Sequence, residues 1–214
     1  MKHFGIVLLL TGIGISNLYA QKFIGGISAG LASSQIDGDG YMGFNKAGIT
    51  GGGFVNSTFK SEWAWQFELL YVEKGSIKPI HPGKGDYSYR KIALRYIEIP
   101  LLIKYHLPLS FKDSLGKIKV NIIPFAGLSF GRLFYTREGD EYGDILILGP
   151  FHKNEYAFQG GIEYALTSKF SLDIRYSRSV WPVADEFILT RWGFFGGSYN
   201  TVLAFSLRYQ FIKK

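Results

Sequence analysis

Arg95-Tyr96-Ile97-Glu98-Ile99-Pro100-Leu101-Leu102-Ile103-Lys104-Tyr105-His106-Leu107 puts apolar side chains at nearly every odd position and Glu98, Lys104 and His106 at even ones. A period of two marks a β-strand, because successive side chains of a strand point to opposite faces. In a soluble sandwich the apolar face of such a strand turns to a core and the charges turn to water. In a membrane barrel the assignment is inverted. The stretch alone is compatible with both, so the choice rests on its surroundings.

Seven further segments share the pattern: about Lys22 to Ser33, Lys46 to Phe59, Glu62 to Lys74, Lys117 to Arg132, Glu155 to Leu166, Lys169 to Ser179 and Tyr199 to Phe211. The clearest sets Trp63, Trp65, Phe67, Leu69 and Tyr71 against Gln66, Glu68 and Lys74. Another sets Phe170, Leu172, Ile174 and Tyr176 against Ser171, Asp173 and Arg175. Within Lys117 to Arg132, Pro124 lacks a ladder donor and marks a bulge or a locally unpaired site. The joints alternate. Ser34 to Asn45, Gly75 to Ile92, Leu133 to Asn154 and Val180 to Ser198 are long, while Lys60-Ser61, Pro108 to Gly116 and Thr167-Ser168 are shorter. Strict alternation has no reason to arise in a sandwich. It is expected of an outer-membrane barrel with short periplasmic turns, long extracellular loops and periplasmic termini. The aromatic-bounded faces Trp63 to Tyr71 and Tyr156 to Tyr164, at roughly 3.3 Å per residue and a tilt of about 40°, cover about 20 Å of height. That approaches the apolar band of such a barrel.

The fold class expected is therefore all-β, an eight-stranded antiparallel transmembrane up-and-down barrel over residues 21–214. The first twenty residues read separately. Met1-Lys2-His3, the apolar run Phe4 to Ile15 and then Asn17-Leu18-Tyr19-Ala20 fit a secretory signal peptide cleaved after Ala20. The 214 residues include no cysteine, so disulfides, thiolate nucleophiles and Cys-ligated metals are excluded. Net charge falls from +7 to +6 when the segment carrying Lys2 is removed, and no dense basic block remains to suggest nucleic acid.

In this reading Glu68, Glu98, Lys104, His106, Gln159, Glu163, Asp173, Arg175 and Arg208 point into the lumen. An eight-stranded barrel is just wide enough for its own side chains to fill. With both signs present, Glu68, Glu98, Lys104, Glu163, Asp173, Arg175 and Arg208 form a structural polar network, a packed ionic plug rather than a pore or a catalytic cluster. A lipid-modifying enzyme would need a serine, a histidine and a carboxylate together at the membrane boundary. His81 and His152 fall in loops, His106 lies near the periplasmic end of its strand, and pairing any of them with Ser129 or Ser177 requires guesswork. No catalytic, cofactor or metal site is expected.

The loops carry the remaining chemistry. The second is basic, with Lys78, His81, Lys84, Arg90 and Lys91 against Asp86. The third is acidic through Glu138, Asp140, Glu141 and Asp144 before the apolar run Ile145 to Leu148. The fourth is aromatic through Trp181, Phe187, Trp192, Phe194 and Phe195. The partners expected are outer-membrane lipid, lipopolysaccharide headgroups at the basic loop, and a protein partner at the loops.

Phe67-Glu68-Leu69-Leu70-Tyr71 with Lys74-Gly75, followed by Tyr96 to Tyr105, resembles the paired signature of the PorT-like outer-membrane β-barrel proteins of Bacteroidetes. Lys46-Ala47-Gly48-Ile49, Pro124-Phe125-Ala126-Gly127 and Gly160-Gly161-Ile162-Glu163-Tyr164 are similar to other recurring pieces of that family. The resemblance spans nearly the whole mature chain and implies an outer-membrane barrel. It brings no catalytic residues, and it leaves a role in a protein-secretion or uptake complex as the alternative to a structural or loop-binding role.

Overall fold

The computed structural model describes residues 22–40, 43–113, 116–145, 151–184 and 197–211; the segment read as a signal peptide lies outside them. Among the described residues the chain forms ten strands: β1 (Phe23–Asp37), β2 (Lys46–Lys60), β3 (Trp63–Lys78), β4 (Arg90–Tyr105), β5 (Leu107–Asp113), β6 (Gly116–Asp140), β7 (Gly143–Ile145), β8 (Asn154–Ala165), β9 (Phe170–Ser179) and β10 (Tyr199–Gln210). Eight of them are staves of one closed antiparallel barrel. They run β4-β3-β2-β1-β10-β9-β8-β6, and β6 pairs back onto β4 to complete the cylinder. The seam between the terminal strands is regular from Gly26 opposite Gln210 to Asp37 opposite Tyr199.

The faces are inverted relative to a soluble protein. Along β9, Phe170, Leu172, Ile174 and Tyr176 are exposed while Ser171, Asp173, Arg175 and Ser177 are buried. On β4, Ile97, Ile99, Leu101 and Ile103 are exposed whereas Glu98 and Lys104 are buried. An apolar belt continued around every stave is stable only where hydrocarbon replaces water. Aromatic pairs bound the belt at both ends. Trp63–Tyr105 (4.8 Å between ring centroids), Phe23–Trp65 (5.7 Å) and Phe170–Tyr209 (5.1 Å) lie at the short-turn end. Phe130–Tyr156 (5.5 Å) and Tyr71–Phe134 (6.1 Å) lie at the long-loop end.

Two connections differ from the sequence expectation. The joint read from Pro108 to Gly116 is mostly strand, because β5 continues β4 along the same neighbour: Lys104 faces Phe125 and Leu107 faces Ile122. The ladder lapses only across Tyr105–His106 opposite Ile123–Pro124, where the proline supplies no N–H. Pro108 lies at the start of this strand, where an edge position tolerates its missing donor. The β5–β6 hairpin therefore projects past the wall, since β8 reaches β6 only as far as Ile122. At the other end, the loop read from Leu133 begins as a continuation of β6 to Asp140, which folds back through β7.

β6 also carries a bulge: Arg95 faces Tyr135 while Tyr96 faces Leu133, leaving Phe134 as the extra residue. Below it Ser129, Gly131 and Leu133 face inward. Above it the phase is reversed, so that Glu138 is buried and Arg137 exposed.

Candidate functional site

The barrel interior gathers buried charge from strands far apart in sequence. Glu68 on β3 is fully buried and accepts two hydrogen bonds from the Arg175 guanidinium on β9, at 2.7 and 3.1 Å, and others from Arg208 on β10 and the Gln66 amide. Arg208 spans to Glu163 on β8 at 2.9 Å and lies 3.5 Å from Asp173. Glu163 also accepts from the Lys104 ammonium at 2.6 Å and from the Ser171 hydroxyl at 2.8 Å. Lys104 donates in turn to the Gln66 carbonyl at 3.0 Å. The result is a closed circuit of three cations and three carboxylates with bidentate geometry at its centre.

A second group sits nearer the long loops. Lys74 bridges Glu98 and Glu155, the latter at 2.9 Å, and its ammonium lies 5.0 Å from the centre of the Tyr96 ring. Asn200 donates to Glu155 at 3.1 Å and to the Tyr96 hydroxyl at 3.3 Å. Gln159 joins the two groups, donating to Glu98 at 3.0 Å and accepting from Arg175 at 3.0 Å.

The two arginines are aimed by aromatic rings resting on glycines. Phe54 lies under Arg208, 4.7 Å from ring centre to guanidinium carbon, and a Cβ on Gly26 would fall 2.3 Å from its ring. Phe125 lies under Arg175 at 5.2 Å, and a Cβ on Gly161 would fall 2.6 Å from it. In both places the absence of a side chain on one strand lets a neighbouring ring lie flat and support a cation.

Little open space remains between these groups. A cavity of about 30 Å³ lies among Asp173, Arg175, Ser177 and Arg208, room for about one water molecule. Towards the long loops the interior ends in an apolar cluster of Ile36, Ile92, Leu94, Tyr96 and Leu133 with Phe151 against it. Towards the short turns it opens into a mouth of about 420 Å³ bordered by His106, Glu163, Lys169, Ser171 and Gln210.

The family model described as outer membrane protein beta-barrel domain matches residues 19–185, well over half of the chain. The chain belongs to the outer-membrane β-barrel domain family. Its place is the outer membrane, where an inverted barrel of this kind resides. Among solved structures it is similar to the attachment invasion locus protein Ail of Yersinia pestis, with 13% identity, 89% of this chain and 99% of that one covered, and a TM-score of 0.48. It is also similar to Neisserial surface protein A, with 13% identity, 88% and 97% coverage and a TM-score of 0.42. Likenesses this remote carry nothing about ligand or role. No curated protein matches the chain.

For this family member, the lumen residues read from sequence, Glu68, Glu98, Lys104, Glu163, Asp173, Arg175 and Arg208, all lie buried inside the barrel, and they fall into two linked groups. Lys74, already on the polar face of its strand, belongs with them, as do Glu155, Tyr96 and Asn200, which the sequence does not mark as lumen charges. The signal for Glu155 was its spacing of four from Gln159, and for Lys74 its spacing of six from Glu68, each an even step along a strand. His106 stands at the open mouth instead. Ser129 hydrogen-bonds Gln159 at 3.0 Å. His81 pairs by backbone with Asp86 and His152 Nδ1 lies 3.2 Å from the Pro182 carbonyl, so both stand at the opposite end from His106. Among the described residues no three His, Asp or Glu side chains are grouped to hold a metal ion.

The basic and acidic loops are not independent. Lys78 meets Asp86 at 3.0 Å and Ser88 as well, Arg90 meets Glu138 at 3.2 Å, and the Tyr89 amide donates to Glu141 at 3.2 Å. Ser88 and Lys78 hold the Asp86 carboxyl down at about 2. In the fourth loop Trp181 is exposed beside Tyr156, while Val183 and Ala184 are buried. Phe187, Trp192, Phe194 and Phe195, the side chain of Asp144, and most of the run to Leu148 lie outside the described residues.

Proposed function

We propose that the chain is a non-enzymatic outer-membrane barrel whose lumen is a structural ionic plug and whose long loops face the cell exterior as its interaction surface, with the termini in the periplasm. The observation that carries this reading is the charge pairing of the interior: Glu68, Glu163, Lys104, Arg175, Arg208 and Lys74 each have an opposite charge in contact. A substrate or ion pathway would require breaking that circuit. The mutual pairing of the second and third loops supports a shaped external surface rather than four separate loops. The PorT-like affiliation suggested by Phe67–Tyr71 and Tyr96–Tyr105, cleavage of the first twenty residues and a protein partner at the loops belong to the same proposal.

The absence of cysteine makes the test clean. Gly83 lies in the second long loop with open space around it, and Ser168 lies in a short turn. Single Gly83→Cys and Ser168→Cys proteins are exposed to a membrane-impermeant maleimide on intact cells. The first should label and the second should label only after lysis. The reverse pattern refutes the orientation. In planar bilayers the refolded wild-type barrel should show no steady conductance, and a reproducible open level refutes the plug.

A further inference from the structure

The outward face of β4 and β6, just beyond the apolar belt, breaks the pattern followed elsewhere. Below, the two strands expose Ile97, Ile99, Leu101, Leu128 and Phe130. Directly above, on the same face, stand Arg132 opposite Ile97, Arg95 opposite Tyr135, Arg137 opposite Ala93, and Lys91 opposite Gly139. Lys91, Arg132 and Arg137 are exposed, and the Arg95 side chain is 42% exposed. The carboxylate on the adjoining β3 face is Glu73, which meets Arg95 at 3.3 Å. Four cations thus rise along two neighbouring strands in the layer where lipid headgroups begin.

Two features show that this face is built. The bulge at Phe134 reverses the phase of β6, turning Arg137 outward and Glu138 inward; without the extra residue the carboxylate would point at the headgroups and the guanidinium into the lumen. The Arg95 guanidinium carbon lies over the Tyr135 ring, 4.2 Å from its centre, and Arg132 donates to Asn154 at 2.6 Å, so both guanidinium groups are oriented before any ligand arrives. Arg178, the outward arginine two staves away on β9, is taken up by Asp37 and Thr201.

We infer that the face formed by Lys91, Arg95, Arg132 and Arg137 binds the phosphate groups of a phosphorylated glycolipid of the outer leaflet. The planar guanidinium forks match phosphate oxygens in pairs, and the aromatic ring of Tyr135 with the apolar belt beneath suits the sugar and acyl chains of the same molecule. The inference rests on the orientation proposed above, with the long loops outside. It also moves the lipid contact from the second loop, whose Lys78 is already engaged by Asp86, to the strand wall.

The mature barrel, folded in detergent micelles, is titrated with diphosphoryl lipid A, with the same lipid dephosphorylated, and with phosphatidylglycerol. Wild type should bind the diphosphoryl form at least about tenfold tighter than either other lipid. Arg95→Gln/Arg132→Gln/Arg137→Gln should abolish the preference, while Lys78→Gln/Lys84→Gln should retain it. Equal binding of all three lipids by wild type, phosphatidylglycerol binding as tightly as diphosphoryl lipid A, or a preference surviving in the triple variant overturns the inference. Folding is checked by heat-modifiable migration. If the triple variant fails that check, Arg132→Gln and Arg137→Gln singly should each weaken the preference about threefold, and no weakening in either overturns it. Micelle binding does not depend on topology, so failure of the orientation shows in maleimide labelling alone.

Discussion

Replacing Glu68 by glutamine should be among the most damaging changes that conserve shape in this barrel. The carboxylate is fully buried and accepts from both terminal nitrogens of Arg175 and from Arg208. Glutamine keeps the volume and one acceptor but leaves three cations of the circuit against the two carboxylates Glu163 and Asp173. Removing one partner of a buried pair costs about 3–5 kcal/mol, because the surviving charge stays desolvated. The double variant Glu68→Gln/Arg208→Met should be milder than the sum of its parts. It leaves Lys104 on Glu163 at 2.6 Å and Arg175 near Asp173 at 3.6 Å, so the remaining charges are still matched. The expected coupling is about 2 kcal/mol or more in favour of the double variant. Reversible urea unfolding in lipid vesicles, followed by tryptophan fluorescence and by gel mobility, measures wild type, Glu68→Gln, Arg208→Met and the double variant. A single variant within about 1 kcal/mol of wild type, or a strictly additive double, would refute the idea that paired charge organises the interior.

Gly26→Ala should destabilise the folded barrel by about 1–3 kcal/mol, since the new methyl meets the Phe54 ring and the Tyr209 carbonyl at 2.4 Å; vesicle unfolding reads it, and an unchanged midpoint would sink the cradle argument. Lys74→Met should leave Glu98 and Glu155 facing each other without a cation, lowering stability by about 3–5 kcal/mol in the same vesicle unfolding. In the second loop, a carboxyl held below its ordinary value stabilises the folded turn fully above about pH 4 and loses that contribution as pH falls towards the shifted value. The Ser88 amide, which donates to Asp86 at 3.1 Å, should therefore titrate in NMR with a midpoint near about 2. A midpoint at or above about 4 would show that the Lys78–Asp86–Ser88 contact does not persist in solution.

The staves were legible because period-two alternation survives in a single sequence, and because the charges on one face could not be left in hydrocarbon. Phe170 to Ser179 needed no structural help. What escaped detection had mixed signals. The stretch from Pro108 to Asp113 opens on a proline and ends beside a turn, so it reads as a joint in the sequence, although its partner strand supplies every pairing it needs. The extension of β6 past Arg132 was hidden because the bulge at Phe134 interrupts the alternation. The lumen was legible as a set of residues but not as a circuit: that Glu68 meets Arg175 and Arg208, while Lys74 takes Glu98 and Glu155, follows from stave order and register across the interior, which local spacing does not encode.

Those same pairings bear on how the chain assembles. Glu68 and Arg208 are separated by 140 residues and Glu68 and Arg175 by 107, so the central contacts cannot form while the chain emerges in order. The Arg208 contacts form only when β10 closes against β1, and until then Glu68 lacks one of its two guanidinium partners. Closure is thereby made all-or-none. A hairpin or half-sheet gains little from entering the bilayer alone, and the last strand to arrive brings the guanidinium that neutralises the first carboxylate. A copy truncated before β10 should stall as an uninserted intermediate rather than persist as a smaller barrel, which makes the interior a checkpoint on completeness as much as a source of rigidity.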